Sequence, residues 1–466
     1  MEWLEKYWYY PIIVLIFFTG VLLTIKLRGI QFRKTGKALK LMVKDNSQGS
    51  GEVSTFGALC ISLSATIGTG NIIGVASALA IGGAGALFWM IIVSLLGLST
   101  KYAEGFLAVK YRKVTEEGKI IGGPYAYIEY GLGNKWIPLA KAFALFGAIA
   151  AILGIGTMTQ SNGITDSFVG LIGTVKTFSL FGHQISLVAI IVGVILTILV
   201  TLVLIGGIKR ISKVCEYIVP IMAALYVLIC MLIIFINIRH IPFAFKEIFR
   251  LAFNTKAALG GTMGYVITKA ITSGVSKGIF ANEAGLGSTP IALASGKTND
   301  PVKQGLISMG GMIVTIVICL MTGLVVTVTN AYSQGLEGIN ITLFAFKNGL
   351  GFNMTISSLL LLLCIVFFAF TTIIGWNLYG MKCIAYLTNN NAIASKIYLA
   401  VYILMVFLGS FLRVGVIWTI ADVANALMAI PNLIALIMLS TKVKEETLAY
   451  DFKSIDQKPV TDVSES

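Results

Sequence analysis

The chain has 466 residues, 57% of them hydrophobic and only 12% charged, where an ordinary soluble domain carries roughly 25% charged residues. A mean hydropathy of +0.88 is more apolar surface than a water-soluble globule of this size hides, which excludes a soluble enzyme or a nucleic-acid-binding domain as the main reading. Lys and Arg number 35 against 21 Asp and Glu, a formal charge of +14; the excess lies in loops between apolar runs and so reads as membrane topology rather than a nucleic-acid patch.

A membrane helix needs about 20 mostly apolar residues. Eleven stretches qualify: 9–27, 54–80, 84–111, 138–168, 186–206, 213–237, 258–284, 304–330, 355–386, 394–412 and 415–440. The first follows Glu2 and Glu5 instead of a basic segment, and no small-residue cleavage site comes after it, so a retained helix is expected. The fourth and ninth are overlong and are expected to tilt. Basic residues cluster after span one (Arg28 to Lys44), span three (Arg112, Lys113, Lys119), span five (Lys209, Arg210, Lys213), span seven (Lys297, Lys303) and span eleven (Lys442, Lys444). Apart from 238–257, the alternate loops are poorer. The bias expects the N-terminus outside, the C-terminus in the cytoplasm, and a polar, disordered tail over 442–466. The six cysteines show no CxxC spacing and the two histidines, His183 and His240, lie in connecting segments. A disulfide framework, a zinc site and an intramembrane histidine relay are not expected.

Two spans are not plain runs of Ile, Leu, Val and Phe. Span two contains Ser64-Ala-Thr-Ile-Gly68-Thr69-Gly70-Asn71, and span seven contains Thr272-Ser273-Gly274-Val-Ser276-Lys-Gly278. Small residues in such places serve either close helix packing or an unwound segment in mid-membrane. Position favours unwinding. Span two opens a block of five spans within 54–240, and span seven opens a second block within 241–441; residues 1–53 add one N-terminal span and a basic cytoplasmic segment. A second block of five must enter the membrane in the opposite sense, and interrupted segments at matching places in two halves point to a transporter binding site. At a break, a half-helix N-terminus offers unpaired N–H groups and a positive dipole end to a carboxylate. The facing half-helix offers carbonyls to an ammonium group or Na⁺.

These stretches also carry a resemblance. Ser64-Ala-Thr-Ile-Gly-Thr-Gly-Asn-Ile-Ile-Gly-Val, Gly82-Gly-Ala-Gly-Ala-Leu-Phe-Trp-Met, Gly122-Gly-Pro-Tyr, Gly206-Gly-Ile-Lys-Arg-Ile, Gly278-Ile-Phe-Ala-Asn-Glu-Ala-Gly-Leu-Gly-Ser and Ala421-Asp422 through Ala429-Ile-Pro-Asn-Leu together resemble the alanine or glycine:cation symporter family, in order, from about residue 54 to 440. The resemblance implies an all-α, polytopic membrane protein of about 11 transmembrane helices. Its fold would be a leucine-transporter-type five-plus-five inverted repeat, with two discontinuous helices and one extra N-terminal helix. It further implies Na⁺-coupled, or in some members H⁺-coupled, uptake of small neutral amino acids such as alanine and glycine across the cell membrane, with no organic cofactor.

Carried over motif by motif, the resemblance assigns Thr69, Gly70 and Asn71 to the substrate carboxylate. Ser273, Gly274 and Phe280 would contribute from the second broken helix, Gln160 and Phe168 from span four, and Thr372 and Trp376 from span nine. Gln160 and Phe168 are eight residues apart, and Thr372 and Trp376 four apart, so each pair shares a helix face. The alternatives are an interhelical hydrogen bond for Gln160 and simple packing for Phe168 and Trp376. As pocket walls, the two aromatics would restrict the side chain by bulk. For Na⁺, carbonyls near Ser64 and Ile67 and the hydroxyls of Thr371 and Thr372 form the expected oxygen set; the alternative is that the hydroxyls bond back to their own helix. Lys277 receives no substrate role.

Among ionisable residues, Lys101 and Glu104 are three apart and placed to neutralise each other, with Glu104 expected to snorkel toward the cytoplasmic end. Asp422, about ten residues after Arg413, is a candidate for gating or for bonding a neighbouring helix. A cation channel is disfavoured because no repeated filter motif or acidic ring is seen. A membrane enzyme is disfavoured because no His or Cys cluster for a metal and no paired-carboxylate site is seen. A nucleobase or polyamine transporter of related fold is the nearest rival, although a polyamine would want more pocket carboxylates.

Overall fold

The computed structural model describes residues 10–43, 49–154, 156–172, 176–180, 183–253, 264–411 and 414–453, with backbone alone at 10, 178–180, 183–184, 264–267 and 414–422. The chain is built almost wholly of helices: α1 Tyr10–Lys26, α2 Thr55–Thr66, α3 Gly70–Gly82, α4 Gly85–Lys110, α5 Ile137–Leu153, α6 Met158–Ile172, α7 Leu187–Leu204, α8 Gly207–Ile236, α9 Ile241–Phe253, α10 Gly264–Asn282, α11 Thr289–Leu293, α12 Pro301–Val328, α13 Ile339–Leu350, α14 Met354–Leu387, α15 Ala392–Gly409 and α16 Val414–Ala449. Two hairpins, Lys113–Val114 with Ile120–Ile121 and Thr177–Leu180 with His183–Ser186, join helices at the surface.

Among the described residues, eight helical stretches, one of them α5 and α6 taken together, are long and apolar enough to cross a membrane, or nine when α2 and α3, bent by 51°, are also taken as one span. The sequence-based count of eleven also takes in α1, which is 17 residues long, and α10. Polar caps start several spans. Ser54 Oγ accepts from the Gly57 N–H at 2.8 Å, Asp300 Oδ1 from Lys303 N–H at 3.0 Å, and Asn391 Oδ1 from Ile393 N–H at 2.9 Å. Each satisfies an N–H that the first helical turn leaves without a partner.

α4 is the central post, packed by α12, α10, α1 and α9, while α14 packs on α5, α6, α2 and α8. α7 and α8 leave large apolar side chains such as Ile198, Leu202 and Leu228 exposed. An apolar face of this kind, on helices made to cross a membrane, is the face turned to lipid.

Two expectations need correction. The overlong fourth stretch is described as two helices, α5 ending at Leu153 and α6 starting at Met158. The second interruption is not at 272–278: α10 runs unbroken through those residues. Gly274 and Gly278 are there for close packing. A Cβ on Gly274 would lie 2.3 Å from the Ala86 carbonyl oxygen, and one on Gly278 2.8 Å from a Val93 methyl. The chain unwinds later, at Glu283–Ser288, where Glu283, Gly285 and Gly287 have φ of 50°, 88° and 81°.

The two broken helices meet at the face that carries the basic loops. Val53 pairs with Gly296 in a parallel bridge, Glu52 N–H donates to the Ser295 carbonyl at 2.8 Å, and Lys297 N–H donates to the Val53 carbonyl at 2.9 Å. Arg112 pins this seam, donating to the carbonyls of Ala294 (2.6 Å), Gly296 (2.8 Å) and Ser50 (2.7 Å).

Candidate functional site

The first break follows from its residues. Gly68 admits a close approach that no side chain would, since a Cβ there would stand 2.8 Å from Thr372 Oγ1. α2 ends at Thr66, and the N–H groups of the next half-helix turn to side-chain amides. Gly68 N–H donates to Asn71 Oδ1 at 3.0 Å and Thr69 N–H to Gln160 Oε1 at 3.1 Å. Asn71 also ties this break to the second broken helix, its Nδ2 donating to the Ala281 carbonyl at 3.1 Å. Beside the donors is a cavity of about 50 Å³ lined by Gly68, Gly70, Asn71, Gln160, Phe280 and Thr372, with Lys277 and Glu283 on its wall. A methyl added to Gly70 would meet no atom within 4 Å, so that glycine keeps space open next to the amide donors.

Oxygen atoms converge on the other side of the break. Thr372 Oγ1 stands 2.9 Å from the Ser64 carbonyl, 3.2 Å from that of Ile67 and 2.8 Å from that of Phe368. One hydroxyl proton serves one of these acceptors at a time. The Ser64 and Ile67 carbonyls share that one donor with Phe368, and with the Thr372 oxygen they form a set suited to a small hard cation. Thr371 does not join them. Its hydroxyl bonds back to Phe367 and Phe368 at 2.9 and 3.1 Å, the helix-capping alternative considered for it.

The second break is organised differently. Gly285 and Gly287 N–H each donate to Glu104 Oε1 at 3.2 Å, and Asn432 Nδ2 donates to the same oxygen at 2.8 Å. Lys101 donates to Thr289 Oγ1 and is near enough to Glu104 and Glu283 for their charges to act on it. Ser288 donates to Glu283 Oε2 at 2.5 Å. Glu104 is fully buried; it does not snorkel, because its oxygen is the acceptor for the unwound backbone.

Of the sequence-predicted site residues, Gly70, Asn71, Gln160, Phe280 and Thr372 line the cavity, and Thr69 adjoins it through its bond to Gln160. Trp376 is fully buried one turn beyond Thr372, its indole N–H donating to the Ala65 carbonyl at 3.2 Å. Phe168 lies half-buried two turns from Gln160, among core side chains. Ser273 and Gly274 face α3 and α4 instead: Ser273 Oγ is 2.7 Å from the Lys269 carbonyl and 3.3 Å from that of Ala78. The side chain of Asp422 falls outside the described residues. Sequence reasoning gave no site role to Glu104 or Asn432, although Asn432 stands in the Ala429-Ile-Pro-Asn-Leu motif and Glu104 is a carboxylate inside an apolar run, which is a signal in itself.

An uncharacterized transporter of Haemophilus influenzae is 47% identical over 445 residues, covering 95% of this chain and 93% of that one. The sodium/alanine symporter AgcS of Methanococcus maripaludis is 41% identical over 448 residues, covering 94% of each. The protein named "Probable sodium/glutamine symporter GlnT" of Bacillus subtilis is 35% identical over 439 residues, covering 93% of this chain and 86% of its own. Among solved structures, MhsT in complex with L-phenylalanine superposes with a TM-score of 0.59 over 87% of this chain and 95% of that one. At 11% identity the likeness is one of fold, that of the leucine-transporter type. The sequence model of the Sodium:alanine symporter family matches residues 1–463. The chain is thus a multi-pass membrane transporter rather than an enzyme, and it belongs to the sodium:alanine symporter family.

Proposed function

We propose that this transporter carries a small neutral amino acid, alanine or glycine, into the cell together with Na⁺ by alternating access. The observation that carries the reading is the first break itself. Main-chain N–H groups at Gly68 and Thr69 lie on one side, and the oxygens of Ser64, Ile67 and Thr372 on the other. A substrate carboxylate would take the N–H donors in place of Gln160. Na⁺ would take the Ser64 and Ile67 carbonyls and the Thr372 hydroxyl. Phe280 on the cavity wall supports a short side chain by bulk, and the printed name of AgcS supports alanine.

In the same reading, residues 54–240 and 241–441 form the two inverted repeats, each opened by its broken helix. The basic loops and the C-terminus face the cytoplasm, and the tail beyond Lys442 stays on that side. Asp422 belongs to this proposal as a residue near the outer gate.

The test is uptake of radiolabelled alanine into proteoliposomes. An inward Na⁺ gradient is expected to drive accumulation that an equal K⁺ gradient does not, with glycine competing and a polyamine or nucleobase not competing. Equal uptake under both gradients overturns Na⁺ coupling. A proton-coupled second reading draws on Lys277 and Glu283, titratable groups on the wall of the same cavity. It expects uptake to follow an inward pH gradient without Na⁺.

A further inference from the structure

The stretch 238–257 breaks the charge pattern of the loops. It carries Arg239, Lys246, Arg250 and Lys256. Yet α8 begins beside Lys209 and Arg210, crosses, and delivers this stretch to the face opposite the basic loops. Cations there oppose the positive-inside bias instead of contributing to it, and neither break uses them. The helix they lie on, α9, gives them a role.

Three stripes run side by side along α9, each stepping by four residues and so keeping to one face. Ala244, Ile248 and Ala252 are buried against the protein, chiefly α4. One position on, Phe245, Phe249 and Phe253 are 46%, 51% and 50% exposed. One position further, Lys246 and Arg250 are exposed. Successive positions turn by about 100°, so the rings stand between the protein and the cations. Phe243, also exposed, stands apart from this stripe in the first turn. Arg250 donates from Nε and Nη2 to Glu247 Oε2 at 3.0 and 2.8 Å, and its side chain is still 54% exposed. Glu247 is the one carboxylate on the helix, so with Lys246 and the exposed Arg239 the patch keeps an excess of positive charge.

Water is a poor neighbour for a row of exposed rings, and hydrocarbon is a poor neighbour for cations. The boundary between acyl chains and headgroups suits both. The ring stripe also continues a surface already turned to lipid, because Phe235 and Ile236 end α8 exposed and only the short link 237–240 separates them from α9. We propose that α9 is a membrane-surface helix. Phe245, Phe249 and Phe253 enter the acyl boundary, and Lys246 and Arg250, with Arg239 in the preceding turn, hold the headgroups of anionic phospholipids. A Cβ on Gly85 would lie 2.5 Å from the Leu251 carbonyl carbon. The backbone of α9 thus rests on the turn between α3, the second half of the first broken helix, and α4, and a bilayer that holds α9 holds that turn. The proposal is independent of which solute and ion the transporter carries.

The test places a fluorescent bimane label on the full-length protein through Phe249→Cys or, separately, Arg250→Cys; the six native cysteines are buried. Each variant is matched to wild type by size-exclusion profile and reconstituted in phosphatidylcholine vesicles. Lipid brominated on its acyl chains is expected to quench the label at 249 strongly and the label at 250 weakly. At equal mole fraction, brominated phosphatidylglycerol is expected to quench the 249 label more than brominated phosphatidylcholine does. Adding Lys246→Gln and Arg250→Gln is expected to lower that preference by about 5-fold or more, while adding Lys246→Arg, which keeps the charge, leaves it in place. Equal quenching at 249 and 250, or a preference for phosphatidylglycerol that the paired Gln substitutions leave unchanged, overturns the proposal. A 249 label shielded from both lipids, with disulfide-linked dimers of unlabelled Phe249→Cys, would put a second copy of the chain on this face and overturn it as well.

Discussion

The two breaks use the same backbone device and treat their donors in opposite ways. At Glu283–Ser288 the freed N–H groups of Gly285 and Gly287 meet a resident carboxylate, Glu104, which also takes Asn432 and lies beside Lys101. At the first break the freed N–H groups meet only neutral amides, Asn71 and Gln160. Hydrogen bonds to an ionised acceptor are roughly twice as strong as neutral ones. The second break is thus held closed on itself by a carboxylate that cannot leave, and in the proposed function the first is left for one that arrives and departs. Under the proposed function this difference makes one break scaffolding and the other the binding site, although both have a positive dipole end.

The comparison breaks hardest at Glu104. Glu104→Ala leaves three buried donors without their acceptor and Lys101 with one carboxylate fewer, and is expected to cost about 3–5 kcal/mol of stability, read as a large drop in thermal midpoint and loss of uptake. Glu104→Gln keeps an acceptor oxygen and should lose less. A wild-type melt for Glu104→Ala would show that the second break does not depend on its carboxylate.

Gln160→Glu sharpens the comparison by placing a resident anion at the first break too. The protein should fold as before while alanine binding weakens by about 100-fold, or about 2.7 kcal/mol, as measured by competition binding. Unchanged affinity would erase the distinction between the breaks. Gly70→Ala comes next: the added methyl meets no atom within 4 Å, so stability should stay within about 1 kcal/mol of wild type while binding falls by about 10-fold or more. Smallest is Thr372→Val, which keeps the shape and removes one oxygen. The half-saturating Na⁺ concentration for uptake should rise a few-fold, consistent with about 1 kcal/mol, with little change at saturating Na⁺.

Much of this was legible in the sequence, for identifiable reasons. Spans are long apolar runs, and α4, α12, α14 and the rest lie close to where hydropathy puts them. The first break was readable because Gly68, Gly70 and Asn71 sit inside such a run. The second was misplaced by about ten residues. Gly274 and Gly278 carry the same composition as a break but answer to a neighbour, α4, that a single sequence does not show. The true signal was Asn282-Glu-Ala-Gly-Leu-Gly, where glycines alternate at positive φ. Glu104 was taken for a snorkelling residue because hydropathy records depth along a helix and not which face meets protein. The amphipathic helices α9 and α13, 13 and 12 residues long, were passed over because they are too short to span.

The central claim is that the first break holds the substrate's carboxylate and the second holds only Glu104. An experimental structure with alanine and Na⁺ bound tests it most directly. The account predicts the alanine carboxylate within hydrogen-bonding distance of main-chain N–H groups at Gly68–Gly70, with Gly285 and Gly287 still donating to Glu104. A carboxylate seated on Gly285 and Gly287, with Glu104 displaced, would contradict it.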